Sequence, residues 1–252
     1  MIELAPQVDA RVTLTLNGIS LYRAVVPDPD VRWSISAGET WLAFGPQDSG
    51  RTLLLEVLTG MARPGWGQIE FLGQPLATIE PQLLRRSIGW SLPSPRFLTW
   101  QVRSELTALA ERWGQTADGD EAVALLERLA PWMRSNLGQR LVSLAPEEKL
   151  VVDLVRRLVG GVQVALVDGL AEVGTAQRMR ALMRNLADYA CETGLSVIAT
   201  TNDPVPWQQP AIKAAFLWGG TVRAAGVLSS LQHRTQPYEL VRYLRDLTPE
   251  PA

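Results

Sequence analysis

The chain has 252 residues, 46% of them hydrophobic, a formal net charge of -2 and a single cysteine. That suits one large α/β domain or two small ones, and it excludes both a general electrostatic drive toward nucleic acid and an internal disulfide. No apolar run approaches the ~20 residues that cross a bilayer, and Met1-Ile2-Glu3-Leu4-Ala5-Pro6 lacks a basic segment followed by an apolar one. The sequence therefore reads as cytoplasmic, neither secreted nor integral to a membrane.

In chain order the start is β-rich. Val12, Leu14 and Leu16 alternate with Thr13 and Thr15, and Asn17-Gly18 then predicts a hairpin turn into Ile19-Ser20-Leu21-Tyr22. A second block, Trp33 to Glu39, leads into the apolar strand Thr40-Trp41-Leu42-Ala43-Phe44, and an apolar helical run from Leu53 to Leu58 follows after a short loop. Gly65 to Gly73 reads as a short strand between glycines, with Gln68, Ile69, Glu70 and Phe71 inside it. From about Phe97 to Leu141 the periodicity is helical, and Val123, Leu125, Leu126 and Leu129 lie on one side of a charged helix. Val164-Ala165-Leu166-Val167 and Leu195 to Thr201 are continuous apolar runs, as in buried parallel strands, with a long helical segment between them. A last hairpin turns at Gly219-Gly220 before a helical, partly charged tail.

The loop between the strand at 40–44 and the helix at 53–58 is Gly45-Pro46-Gln47-Asp48-Ser49-Gly50-Arg51-Thr52. Its strand–loop–helix context is that of a phosphate-binding loop, in which glycines turn backbone N–H groups toward phosphate oxygens and the helix N-terminus adds positive potential. Arginine stands where that motif needs lysine. A guanidinium is a broad planar fork and an ammonium a compact point charge, so the two differ in a tight loop. Only Lys149 and Lys213 are lysines among 24 basic residues, so a chain-wide arginine bias also accounts for Arg51.

With these residues in hand the chain resembles the ATP-binding subunit of an ABC transporter over nearly its whole length, closest in style to multidrug-type exporters. Ser36-Ala37-Gly38-Glu39 resembles the turn before the nucleotide strand, Gly67-Gln68-Ile69 the strand pair after the first helix, and Leu98-Thr99 with Val102 to Leu106 the start of the helical subdomain. Asp168 ends the second apolar strand, and Thr200-Thr201-Asn202-Asp203 is similar to a switch segment that reads Thr-Thr-His-Asp in the family. The resemblance implies an α/β P-loop NTPase with a β-rich N-terminal edge and a helical insertion. It implies one domain over 1–252, its α/β core at 10–92 and 150–228, a helical subdomain at 93–149 and a helical tail at 229–252.

The resemblance also supplies a test, since ATP hydrolysis needs groups on the γ-phosphate, the metal and the attacking water. Gly45 to Thr52 would bind nucleotide, Thr52 and Asp168 would meet Mg2+, and Tyr22 lies near the family's adenine-stacking aromatic but reads equally as an aromatic packed in a hairpin. Pro93 falls at the glutamine that senses metal and water, Gly169 at the general base, and Asn202 at the switch histidine. The signature segment, which completes a partner's site across a dimer, is Leu144-Ala145-Pro146-Glu147-Glu148. Alanine there lacks the serine hydroxyl, proline lacks an N–H, and Glu147 adds negative charge where phosphate should dock.

The expectation is a peripheral ATP-binding subunit on the cytoplasmic face of a cell membrane. It would work with an integral permease, as a homodimer or a heterodimer with another ABC ATPase subunit, with ATP and Mg2+ as implied cofactors. Hydrolysis is expected to be impaired and the role structural or regulatory. The alternatives are a working ATPase with non-standard catalytic residues and a scaffold that binds no nucleotide. Among other residues, Asn202 reads better as a helix cap than as a catalytic group, and Cys191 as packing. His233 reads as a solvated surface residue, and Arg156-Arg157 and Arg178-Met179-Arg180 as solvated helix faces. Trp90, Trp100, Trp113 and Trp132 fall in or beside the helical subdomain, where the family docks its permease, and at least half are expected to fill a small core.

Overall fold

In the computed structural model, residues 12–28, 31–92, 94–170, 173–207, 209 and 211–247 are described. The first antiparallel strands are β1 (Val12–Ser20) and β2 (Arg32–Ser36), followed by β3 (Thr40–Phe44) and helix α1 (Arg51–Leu58). Then come β4 (Trp66–Phe71), β5 (Gln74–Pro75), α2 (Pro81–Ser87) and β6 (Ile88–Ser91). Helices α3 (Val102–Arg112), α4 (Gly119–Leu129) and α5 (Pro146–Val159) precede β7 (Val164–Val167), α6 (Ala176–Thr193) and β8 (Ser196–Thr201). The hairpin β9 (Ile212–Trp218) and β10 (Thr221–Val227) leads to α7 (Leu228–Gln232) and α8 (Tyr238–Leu247).

One sheet holds the described strands in the order β5-β4-β1-β10-β9-β3-β8-β7-β6, with β2 paired to β1. Strands β9, β3, β8, β7 and β6 are mutually parallel, while β1, β2, β4, β5 and β10 form the antiparallel part. The continuous apolar runs are explained by burial on both faces: β3 sends Leu42 and Phe44 into a core shared with α3 to α8, and Trp41 and Ala43 into a core shared with α1. Every residue of β3, β7 and β8 is buried.

The hairpin expected at Asn17-Gly18 does not form. β1 continues through both residues, Gly18 takes φ 52°, and the ladder to β4 slips between Asn17 and Ser20. A Cβ on Gly67 would lie 2.2 Å from the Gly18 carbonyl oxygen, so this glycine pair serves as a bulge in a long strand that joins β4 and β10.

The helical region forms as predicted, with Asp118 capping α4 by accepting from the N–H groups of Asp120 (2.7 Å) and Glu121 (3.3 Å). Helix α4 buries Ala122, Leu126 and Leu129, and Val123 and Leu125 pack partly against the same core. Between α3 and α5 lies a buried ionic cluster that corrects the solvated reading of Arg156. Its guanidinium bonds to Glu105, to Asp153 (2.8 Å from Nε) and to the Arg96 carbonyl (2.9 Å), and it stacks over Phe97 at 5.3 Å. Arg157 adds a 3.1 Å bond to Asp153. Glu105 in turn accepts from the N–H groups of Leu98 (2.9 Å) and Thr99 (2.7 Å) and from the Thr99 hydroxyl (2.9 Å).

Candidate nucleotide site

The carboxyl ends of the parallel strands bring the candidate residues to one edge of the sheet. Phe44 at the end of β3 is in register with Thr201 on one side and Phe216 on the other, and Val167 with Ala199. Gly45, Asp168 and Asn202 follow directly from those strand ends, which is where parallel α/β sheets bind ligands.

The loop is wound tightly. A Cβ on Gly45 would sit 2.2 Å from the Leu217 carbonyl oxygen and 2.9 Å from Ser49 Oγ, so the first glycine is enforced by close approach. Gly50 precedes α1 at φ 96° with Leu21 Cδ1 2.7 Å from where its Cβ would be. Ser49 donates its N–H to the Pro46 carbonyl and accepts from the Gly220 N–H at 3.0 Å, which ties the loop to the β9–β10 turn. Its hydroxyl is buried without a protein partner. Helix α1 carries no acidic residue in its first turn, so its positive end is uncompensated from within the helix. Gln47, Asp48 and Thr52 are exposed, Pro46 and Arg51 half-buried. Asp48 adopts φ 62°, the left-handed region that aspartate tolerates better than most side chains. This departure was missed in the sequence, where Gly45 and Gly50 supplied the visible glycines.

Tyr22 lies just beyond β1 with its ring packed on the turn glycine. A Cβ on Gly220 would be 2.3 Å from Tyr22 Cδ2, and one on Gly50 3.8 Å from Tyr22 Oη, while the residue keeps 39% exposure. It therefore backs the start of α1 and presents a face to solvent.

Asp168 is 9% exposed and accepts the Thr200 hydroxyl at 2.6 Å, and the same hydroxyl oxygen accepts the Gly169 N–H at 2.9 Å. Gly169 sits at φ 63°, a backbone that an L side chain occupies only with strain. Leu170 N–H donates to the Thr200 carbonyl at 3.2 Å, so the chain after β7 is folded back onto β8. Thr200 entered the sequence reading only as part of the switch segment; its bridging hydroxyl has no sequence signature.

Asn202 is exposed, and among the described residues its side chain caps no helix. The cap belongs to Asp203, whose Oδ1 accepts from the Val205 N–H at 2.9 Å ahead of the 3-10 turn Val205–Trp207. The Asn202 carbonyl accepts the hydroxyl of Tyr243 from α8. Pro93 lies outside the described residues; its neighbour Leu92 donates its N–H to Asp153 at 3.4 Å.

The segment Leu144 to Glu148 runs into α5. Leu144 is buried, Ala145 precedes the helix, Pro146 is its exposed first residue, and Glu148 accepts the Ala145 N–H at 2.9 Å. Glu147 is 9% exposed and lies flat on Gly174, where a Cβ would meet its Cβ at 2.6 Å, and it pairs with Arg178 at 3.4 Å.

Elsewhere, Trp90, Trp113 and Trp132 are partly buried against the two cores, whereas Trp100 is 86% exposed. Cys191 is exposed, against the expectation that it packs, because it falls on the outer face of α6. His233 is exposed at the end of α7. Among the described residues no cluster of three or more His, Cys, Asp or Glu could hold a metal, and no helix is long and apolar enough to cross a membrane.

Strand order, loop and helical insertion together define a P-loop nucleotide-binding domain. A family model described as ABC transporter matches residues 29–170, more than half the chain, and the chain belongs to that family. It is similar to the probable iron export ATP-binding protein FetA of Escherichia coli K12, 24% identical over 174 residues that make up 69% of this chain and 77% of FetA. It is also similar to the thiamine import ATP-binding protein ThiQ of Chelativorans sp. BNC1, 27% identical over 213 residues, 83% of this chain and 85% of ThiQ. Among solved structures, CbiO1 of Clostridium perfringens, part of the ABC transporter complex CbiONQ, superposes with TM-score 0.72 over 93% of this chain and 95% of that one at 17% identity. That likeness speaks for the fold. One relative is named for export and the other for import, so direction is not written in the shared residues.

Proposed function

We propose that this chain is a peripheral ATP-binding subunit of a membrane transport complex that binds ATP with Mg2+, hydrolyses it poorly, and acts mainly as a structural or regulatory partner in a dimer of such subunits at a permease. The phosphate part of the reading rests on the wound loop from Gly45 to Thr52, with its uncompensated helix end and a buried Ser49 hydroxyl lacking a protein partner. Thr52 and Asp168 are hard oxygen donors suited to Mg2+, which would neutralise charge on the phosphates when bound. The chain's own contribution is to hold those oxygens: Thr200 fixes the Asp168 carboxylate, and the β9–β10 turn fixes Ser49.

The observation that carries the impaired reading is Gly169. It follows Asp168 directly, where the family has its general base, and its left-handed φ of 63° holds no carboxylate and disfavours one. Glu147 supports it, since a carboxylate at the start of α5 repels the phosphate that this segment would meet across a dimer. Calorimetric titration of the purified chain with a non-hydrolysable ATP analogue and Mg2+ tests the binding half: no heat at millimolar analogue favours the scaffold. Steady phosphate release that Asp168→Asn abolishes overturns the impaired half and favours a working ATPase.

A further inference from the structure

Helix α8, the last described element, is anchored by Leu240 and Leu244, one turn apart and 0% and 8% exposed. Tyr243 sits beside them and touches two parts of the nucleotide edge at once. Its ring lies 6.5 Å from Phe44 and 5.7 Å from Phe216, which are 5.3 Å from each other. Phe44 is the residue from which the Gly45 loop springs. The Tyr243 hydroxyl, at the far end of the same ring, donates to the Asn202 carbonyl. Burial pushes the phenol pKa up, with Arg51 pulling it down and Asp203 adding to the rise, so the charged groups of the loop and the switch segment both act on this ring.

Among the described residues the other hydrogen bonds of residues 202–205 are short-range, while Pro204 and Trp207 anchor the end of the segment by burial. Thr201 Oγ1 donates to the Asp203 carbonyl at 2.9 Å and accepts its N–H at 3.2 Å, and Asp203 caps Val205. Those bonds shape the turn without fixing it to the loop. The hydroxyl of Tyr243 joins the turn to a ring packed on the loop's root, and a phenylalanine would keep the ring contacts while losing that bond.

We propose that Tyr243 is a positioning residue that latches residues 202–205 to the root of the Gly45 loop, so that the C-terminal helix sets the corner where a γ-phosphate would meet Asn202 and Arg51. The γ-phosphate part rests on the nucleotide reading above; the latch itself does not. A neutral hydrogen bond, here to the carbonyl of an exposed residue, makes a difference of up to roughly fivefold in a local equilibrium.

The test compares the full chain with Tyr243→Phe. By amide hydrogen exchange, the N–H groups of Asp203 and Val205 are expected to exchange about fivefold faster in the variant, with the amides of β8 and the unfolding midpoint unchanged. In a titration with ATP and then ADP, both with Mg2+, ATP is expected to weaken by a similar factor of about five and ADP not at all, because only the γ-phosphate reaches that corner. Unchanged exchange at Asp203 and Val205 overturns the latch, as does acceleration spread evenly over β8. Faster exchange with an unaltered ATP to ADP ratio overturns the role at the phosphate corner. If the unmodified chain binds neither nucleotide, the nucleotide reading falls, and the exchange result alone upholds or overturns the latch.

Discussion

Replacing Arg156 with methionine removes the cation at the centre of the cluster between α3 and α5 and leaves two carboxylates behind. Glu105 and Asp153 are both 0% exposed, and Arg156 itself is 4% exposed. Glu105 would retain three donors, from Leu98 and Thr99, and Asp153 would retain Arg157 and the Leu92 N–H. Those bonds soften the loss but do not neutralise two buried negative charges. Breaking a buried ion pair from one side destabilises by about 3–5 kcal/mol. With a urea m-value of about 3 kcal/mol per M for a chain of this size, the midpoint should fall by roughly 1 to 1.7 M at unchanged m. The control is Arg103→Ala, whose partner Asp120 is largely exposed, with side chains 56% and 87% accessible; a pair of that kind contributes under about 1 kcal/mol. Equilibrium urea unfolding followed by tryptophan fluorescence reads both. A midpoint shift for Arg156→Met no larger than that of the control would refute the assignment of a buried, stabilising network.

Asp48→Gly should remove a carboxylate from the phosphate loop, so ATP analogue affinity measured by calorimetry is expected to rise by about fivefold, from roughly 1 kcal/mol of charge repulsion; weaker binding would mean that Asp48 contacts the ligand favourably. The double change Gly169→Glu with Asn202→His should leave phosphate release at background, because Gly169 sits at φ 63° and the segment from Ala145 to Glu148 is unaltered; robust turnover in a coupled assay would contradict this. Burial pushes the Glu39 carboxyl up, yet hydrogen bonds from Lys213, Ser36 and Trp41, with the charge of Lys213, hold it below its ordinary value. A carboxyl whose folded pKa is depressed stabilises above the unfolded value, about 4.3, and loses that contribution as pH falls through the folded one. Stability of the unmodified chain should therefore drop more steeply below pH ~4.3 than that of Glu39→Gln, and parallel acid titrations monitored by circular dichroism would expose the error if they coincide.

The parallel strands were legible because burial on both faces leaves no choice but continuous apolar residues, as in Val164–Val167 and Ser196–Thr201. The Gly219-Gly220 hairpin was legible for the same local reason that Asn17-Gly18 misled: both pairs accept positive φ, and only the partners across the sheet decide between a turn and a bulge. Arg156-Arg157 looked like a solvated face since charge on an amphipathic helix usually is, and its acid partner Glu105 lies 51 residues earlier. Tyr243 carried no signal at all, its partner being 41 residues away and a backbone carbonyl. The loop itself was visible from glycine spacing, but the conformation of Asp48 was not, because its φ depends on how Gly45 and Gly220 clamp the neighbouring Ser49.

Gly169, Glu147 and the Asn202 backbone each take part in this chain's own packing, which bears on the proposal that hydrolysis is impaired. The Gly169 N–H shares the Thr200 hydroxyl with Asp168, so a bulkier residue at 169 strains the turn that orients the carboxylate. Glu147 lies on Gly174 and pairs with Arg178, tying α5 to the start of α6. Converting it to glycine would remove the carboxylate from the helix end, and with it the ion pair to Arg178 that joins those two helix starts. The Asn202 carbonyl is taken by Tyr243, whatever side chain stands at 202. On the proposed reading, a side chain restored at 169 or a glycine at 147 would disturb a contact that now supports a neighbour, whereas a change at 202 would leave the backbone bond in place. Such coupling predicts losses from single reversions that exceed their individual chemistry and grow smaller when reversions are combined with changes to the contacting partner.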